Sequence, residues 1–195
     1  MDLEFKQLDD DEILQLAIHA SGQDRHDLAI TYLKEAVKRN PENANAINFL
    51  AVEHAQIGLY PRAMEEMQRA IELNPDLHTA RLQLGLLYLT SAMAEPSLTT
   101  LQPLTELNED NYFCCFAKGL QHLIRDEFAD CKQWLEKGIK INDNNLALNR
   151  DMQRLLDAIK NQVTMPIESA PPSKESEGGN LWLSAYQSGD EQNSH

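Results

Sequence analysis

The sequence predicts an all-α protein, a solenoid of four helix-turn-helix units with one further helix behind them. Three observations predict it. The helix-breaking pair Asn40-Pro41 returns as Asn74-Pro75, and the same step of 34 residues then reaches Glu109 and Asp143. Each landing point follows an Asn, in "RNPE", "LNPD", "LNED" and "INDN", and a fixed period of this length is the mark of stacked repeats. With the breaker at position 32 of a 34-residue unit, position 8 reads Ala17, Ala51, Gly85, Gly119 and position 20 reads Ala29, Ala63, Ser97, Cys131. Small side chains in both columns are what two helices need where their backbones approach most closely. Position 24 reads Leu33, Met67, Leu101 and Leu135, a large apolar group each time.

The elements follow in order. Residues 1–9 form an acidic N-terminal segment; the first twelve residues carry six acids and one Lys. The four units span 10–43, 44–77, 78–111 and 112–145. In the second, Asn43 is placed to cap a first helix over "ANAINFLAVEHAQI", and Gly58 to end it in the left-handed conformation. Pro61 suits a first helical turn, and apolar residues at 63, 64, 67, 70 and 71 give the second helix its 3.6 period. In the third unit "EPSLTTLQPLTEL" places Pro103 inside a helix, where a lost hydrogen bond and a clash near Thr99 cost about 3 kcal/mol. A kink or a short irregular turn is expected around 99–103, either a hinge or a tolerated defect. Residues 146–164 supply a capping helix, with Leu148, Met152, Leu155, Leu156, Ile159 and Val163 along one face; a stacked array needs its last apolar face covered. From 165 to 195 the chain is rich in Pro, Ser, Gly and Glu and reads as a flexible acidic tail. Within it stands one island, Leu181, Trp182, Leu183 and Tyr186.

The motifs resemble the tetratricopeptide repeat family. The resemblance rests on the 34-residue period, Leu84-Gly85, Tyr88, Ala29, Ala36, Ala63 and Ala70, and Pro41 and Pro75. It covers residues 10 to about 145. Copy four departs from it with Lys118 and His122, and copy three with Ser97 and Leu104. The resemblance implies a right-handed superhelix whose inner surface is lined by the first helix of each pair, at positions 2, 5, 9 and 12. It also implies a protein or peptide partner lying in that groove. The residues so assigned are Leu14, Ile18, Asn45, Asn48, Val52, Thr79, Leu82, Leu86, Phe113, Phe116 and Leu120. With Leu123 the last three would form either an exposed apolar contact strip or core beneath the capping helix. Asn45 and Asn48 offer donor and acceptor to a peptide backbone. The positions with which one branch of the family grips the C-terminal carboxylate of heat-shock chaperones hold no Lys or Arg here, so that use is excluded.

Composition narrows the function. Net charge is −14, spread mostly over the two ends, and no basic stripe exists, so nucleic acid and anionic membranes are poor partners. Apolar stretches are broken within ten residues, which excludes a membrane span. The acidic start has no basic end or apolar core and is not a signal peptide, so a cytoplasmic location is expected. Cys114, Cys115 and Cys131 are too few and too bunched for a disulfide framework, and no Cys-x-x-Cys occurs. The six His are scattered; His54 and His122, at position 11, read as packing residues. No phosphate loop, zinc-protease motif or nucleophile elbow is present. No catalytic residue, metal or cofactor is therefore expected.

The function so indicated is a non-enzymatic adaptor or assembly factor that binds a peptide or helix in an apolar groove. Two alternatives stand beside it. One is a chaperone of a secreted client, which the size, charge and groove character resemble in type III secretion systems. The other is a self-associating scaffold, a homodimer through the Phe113–Leu123 strip. The tail island has the look of a tethered anchor, since Trp and Tyr dominate interface energies. About 18 residues of flexible tether span roughly 20–25 Å, enough to fold back into the groove or recruit a second protein.

Overall fold

The computed structural model describes residues 8–164 together with Phe5. Leu181, Trp182, Leu183 and Tyr186, the rest of segment 165–195 and the side chain of Val163 lie outside the described residues. Among the described residues there are nine α-helices and no strand. They are α1 (Asp10–Ser21), α2 (His26–Arg39), α3 (Ala44–Gln56), α4 (Tyr60–Leu73), α5 (His78–Thr90), α6 (Ala94–Thr105), α7 (Tyr112–Ile124), α8 (Phe128–Ile141) and α9 (Leu146–Thr164). One pair falls in each 34-residue window. The chain forms two compact units, residues 1–101 and 102–195.

Local chemistry explains where the helices start and stop. Asp9 and Glu12 make a reciprocal capping box, each side chain 2.8 Å from the other's backbone N–H, and Asp10, Asp11 and Glu12 place negative charge at the positive end of α1. Asn43 caps α3 as expected, its side chain accepting from the Ala46 N–H at 3.1 Å. The breaker asparagines act at the far ends. Asn40 and Asn74 donate their backbone N–H to Ala36 and Ala70, closing α2 and α4. Their side chains then accept from the N–H groups of Glu42 and Asp76, as Asn108 does from Asp110. This side-chain turn gives Asn40, Asn74 and Asn108 a common role even where Pro is absent; Asn142 instead accepts from the Asn145 N–H.

The turn between the two helices of a pair is equally periodic. Asp24, Gly58, Ala92 and Asp126 all have positive φ, between 56° and 80°, at steps of 34. One residue further on, the N–H groups of Arg25, Leu59, Met93 and Glu127 reach back to the carbonyls of Ala20, His54, Tyr88 and His122. That six-to-one bond is the Schellman motif. The sequence announces it only at Gly58.

In the first unit (residues 1–101) the expected helix crossings are found. Ala17 packs with Ile30, Leu33 and Leu50, joining positions 8 and 24. Ala51, Ala63 and Met67 are fully buried. At Gly85 an added Cβ would lie 2.5 Å from Leu101 Cδ2. Ser97, the polar exception in the position 20 column, donates its hydroxyl to the Gly85 carbonyl at 2.8 Å, so the buried oxygen is satisfied. Phe5 and Leu8 are tied down as well. Arg39 donates to the carbonyls of Phe5 and Leu8, and Phe5 meets Tyr32 edge to face at 5.9 Å.

In the second unit (residues 102–195) α7 and α8 cross at Gly119, where an added Cβ would lie 2.6 Å from Leu135 Cδ2. The same helices meet again at Gly138, where it would run into Phe116 Cε1. Helix α9 packs against α8 and buries Leu148, Met152, Leu156 and Ile159. The loop before it is held by Asn142, whose amide donates to Asn149 and to the Asn145 carbonyl at 2.9 Å each. The irregular turn expected around 99–103 is not formed. Helix α6 runs on to Thr105 with Pro103 inside it.

Candidate functional site

The first helices of the three pairs in the first unit stand side by side, joined by buried polar contacts. Glu53 on α3, 3% exposed, accepts from the Ser21 hydroxyl on α1 and lies 2.8 Å from His26 Nδ1. Asn48 on α3 donates to Gln83 Oε1 on α5 at 3.1 Å. These ties fix one repeat against the next. Neither Glu53 nor Gln83 was singled out by sequence, because a polar residue in a buried inter-repeat position carries no periodic signal.

The structure divides the expected groove residues into two groups. Leu14, Ile18, Thr79 and Phe113 are partly exposed and Asn45 is exposed. Asn48, Val52, Leu82, Leu86, Phe116 and Leu120 are buried, none more than 2% accessible, which corrects their expected place on an exposed inner wall. The physical reasons differ. Asn48 spends its amide on Gln83. Phe116 fills the space left by Gly138 on α8 and packs against Tyr112 at 5.9 Å, so it is core of the fourth pair. Of the expected apolar strip, only Phe113 and Leu123 remain partly accessible.

The exposed surface of the first unit holds one feature that the sequence reading did not isolate. Ile57, Leu59 and Tyr60, at the turn of the second pair, are 46%, 45% and 44% exposed, and Met93 at the third turn is exposed too.

The position 11 histidines take carboxylate partners. His54 is buried with Nδ1 2.6 Å from Glu66 on α4, and Glu66 also accepts from Arg62 at 3.0 Å. His122 is 2.6 Å from Glu127. Lys118, the charged departure of copy four, is accommodated by Glu109 at 2.7 Å and by the face of Trp134 at 4.3 Å; Lys137 reaches the same Glu109 and the same ring. These two cations hold the Glu109 carboxyl below its ordinary range, through the hydrogen bond from Lys118 first. Cys114, Cys115 and Cys131 are free and fully buried. Burial pushes the Cys131 thiol up to about 11, which keeps it in the unreactive protonated form at neutral pH. Among the described residues no group of three or more His, Cys, Asp or Glu could hold a metal ion, and no helix is long and apolar enough to cross a membrane.

Residues 14–90 match the family model described as Tetratricopeptide repeat. Solved structures are similar in fold. A thermophilic tetratricopeptide repeat protein of Thermus thermophilus superposes with a TM-score of 0.67 at 18% identity, covering 80% of this chain and 84% of its own. PilF of Pseudomonas aeruginosa gives 0.59 at 23% identity, covering 79% of this chain and 70% of its own. The protein MamA gives 0.59 at 19% identity, covering 71% and 81%. No curated protein sequence gives a significant match. Residues 14–90 thus carry the tetratricopeptide repeat signature, and the described residues share the all-α fold of these solved structures. The fold is, in general terms, that of a protein–protein interaction module.

Proposed function

We propose that this chain is a non-enzymatic adaptor or assembly factor of the cytoplasm that binds a peptide or helical segment of a partner protein on the first-helix face of its repeats. The observation that supports this reading is the accessible set Leu14 and Ile18 on α1, Asn45 on α3 and Thr79 on α5, on three helices held in register by Glu53 and Asn48. Apolar contact at Leu14 and Ile18 supplies affinity. The Asn45 amide and the Thr79 hydroxyl supply hydrogen bonds to a peptide backbone. Phe113 offers a comparable half-exposed ring in the second unit.

The test uses the full chain beside Ile18→Glu with Thr79→Glu, positions where substitution leaves the core untouched. Partners captured by the parent and lost by this variant, at an unchanged melting temperature, are ligands of that face. If every partner survives, the assignment is wrong. Charged substitutions at Leu86 or Phe116 are unsuitable, because they place an unpaired charge in the core.

A second reading, self-association, is favoured by the exposed Ile57, Leu59 and Tyr60 rather than by the buried Phe116. A stable interface needs about 1,200–2,000 Å² in total. Light scattering decides: a monomer at all concentrations excludes it, and a dimer lost in Tyr60→Glu assigns it to this edge.

A further inference from the structure

A cavity of about 500 Å³ opens on the first unit between α4 and α6, lined by Gln68 and Ile71 of α4, Arg81, Leu84 and Tyr88 of α5, and Glu95, Pro96, Thr99 and Thr100 of α6. It is distinct from the Leu14–Thr79 surface and independent of any role for it. Its origin is legible in the repeat register. In the second pair, position 11 is His54 and position 23 is Glu66, closed on each other at 2.6 Å, with Arg62 of position 19 bound to Glu66. The third pair has Tyr88, Thr100 and Pro96 at those positions. Two long charged side chains are replaced by a hydroxyl and a ring, and the volume they would fill stays open.

The charges at the rim are unspent. Among the described residues neither Arg81 nor Glu95 has an oppositely charged group within ion-pair distance. The guanidinium of Arg81 donates only to the Pro75 carbonyl, at a long 3.4 Å. Burial pulls Arg81 below its ordinary pKa, the direction expected for a cation taken partly out of water without a carboxylate. The helices α5 and α6 run antiparallel, since Met93 bonds to Tyr88 and Ser97 to Gly85 across the turn. Arg81 stands nine residues before the end of α5, and Glu95 is the second residue of α6. At about 1.5 Å per residue their backbone positions are offset by roughly 12 Å along the helix axes. An extended chain covers that distance in about four residues.

We propose that this cavity binds an extended peptide segment carrying an acidic and a basic side chain four residues apart with apolar residues between them. The acid is held by Arg81, the base by Glu95, the apolar side chains rest on Ile71, Tyr88 and Pro96, and Thr100 and the Gln68 side-chain carbonyl reach the peptide backbone. Cavities of this size with an apolar floor and a few convergent polar groups are the usual form of a ligand site.

The probes are four labelled, end-blocked pentapeptides, Asp-Leu-Phe-Leu-Lys, its reverse order, and the same core with Asp at both ends or Lys at both ends. Binding to the full chain is read by fluorescence anisotropy. One of the mixed-charge peptides is expected to bind at least tenfold tighter than either like-charge peptide. In Arg81→Glu the preference moves to the peptide with two Lys, and in Glu95→Lys to the peptide with two Asp. Arg81→Gln and Glu95→Gln, which change charge by one unit, lose selectivity at one end only and serve if a reversal variant melts early. Absence of binding by the parent chain, or a ranking of peptides that is the same in all variants, overturns the proposal.

Discussion

Replacing Gly85 by Ala sets two large effects against each other. An Ala in a helix interior is favoured over Gly by about 1 kcal/mol, so a helix considered alone would be stabilised. The added methyl, however, would lie 2.5 Å from Leu101 Cδ2 and 2.6 Å from its Cγ. The Cγ is the branch point of a fully buried side chain, not a free end, and ordinary carbon contact is about 3.5–4.0 Å. Relief needs a shift of about 1 Å between α5 and α6, and overpacking of this kind costs about 1–3 kcal/mol. The net expectation is a loss of up to about 2 kcal/mol, read as a lower urea midpoint at unchanged slope. In a Leu101→Ala background the obstacle is gone and the same Gly85→Ala change should stabilise by up to about 1 kcal/mol. The sign reversal is the coupling between positions 8 and 24. Stabilisation by Gly85→Ala in the parent chain, or an equal loss in both backgrounds, would refute the crossing geometry.

Four further outcomes follow. Ala92→Gly should raise stability by about 0.5–1 kcal/mol, because a left-handed φ of 58° costs an L-residue about 1–2 kcal/mol and added chain entropy offsets part of the gain; thermal melts of Ala92→Gly and Gly58→Ala should move in opposite directions. Glu53→Ala should lower stability by about 1–3 kcal/mol, since Ser21 loses its buried acceptor, and chemical denaturation checks it. Cys114, Cys115 and Cys131 should resist a disulfide-exchange reagent at pH 8 in the native chain and all react in denaturant; the raised Cys131 thiol also means that stability present below pH 9 declines as pH rises toward 11. The lowered Glu109 carboxyl contributes stability above the ordinary carboxylate range that is lost as pH falls below it, so Glu109→Gln should flatten the acid limb of the stability curve.

Much of this protein was written locally. Asn40 and Asn74 each close one helix and turn the chain, the small residues at positions 8 and 20 admit a neighbouring helix, and the 34-residue spacing repeats both. Each of these acts over a few residues, so each leaves a periodic trace that can be read without coordinates. The location of the accessible surface was legible only in part. Leu14, Ile18, Asn45, Thr79 and Phe113 stand open in some measure, whereas Phe116, at the same repeat position as Leu14, is buried. Nothing in residues 112–123 distinguishes them, since Phe116 sinks into room made by Gly138, more than twenty residues further on.

The repeat, its helices and its phase can be read from residue order, because backbone hydrogen bonding, capping and small-residue spacing are short-range requirements. Packing between helices settled that Asn48 would be consumed by Gln83. It also decided that the Pro96–Thr100 stretch would leave a cavity floored by Tyr88 with Arg81 at its edge. Those outcomes depend on which side chains meet across separate helices and how much volume each brings, and volume is settled only when the neighbours are in place.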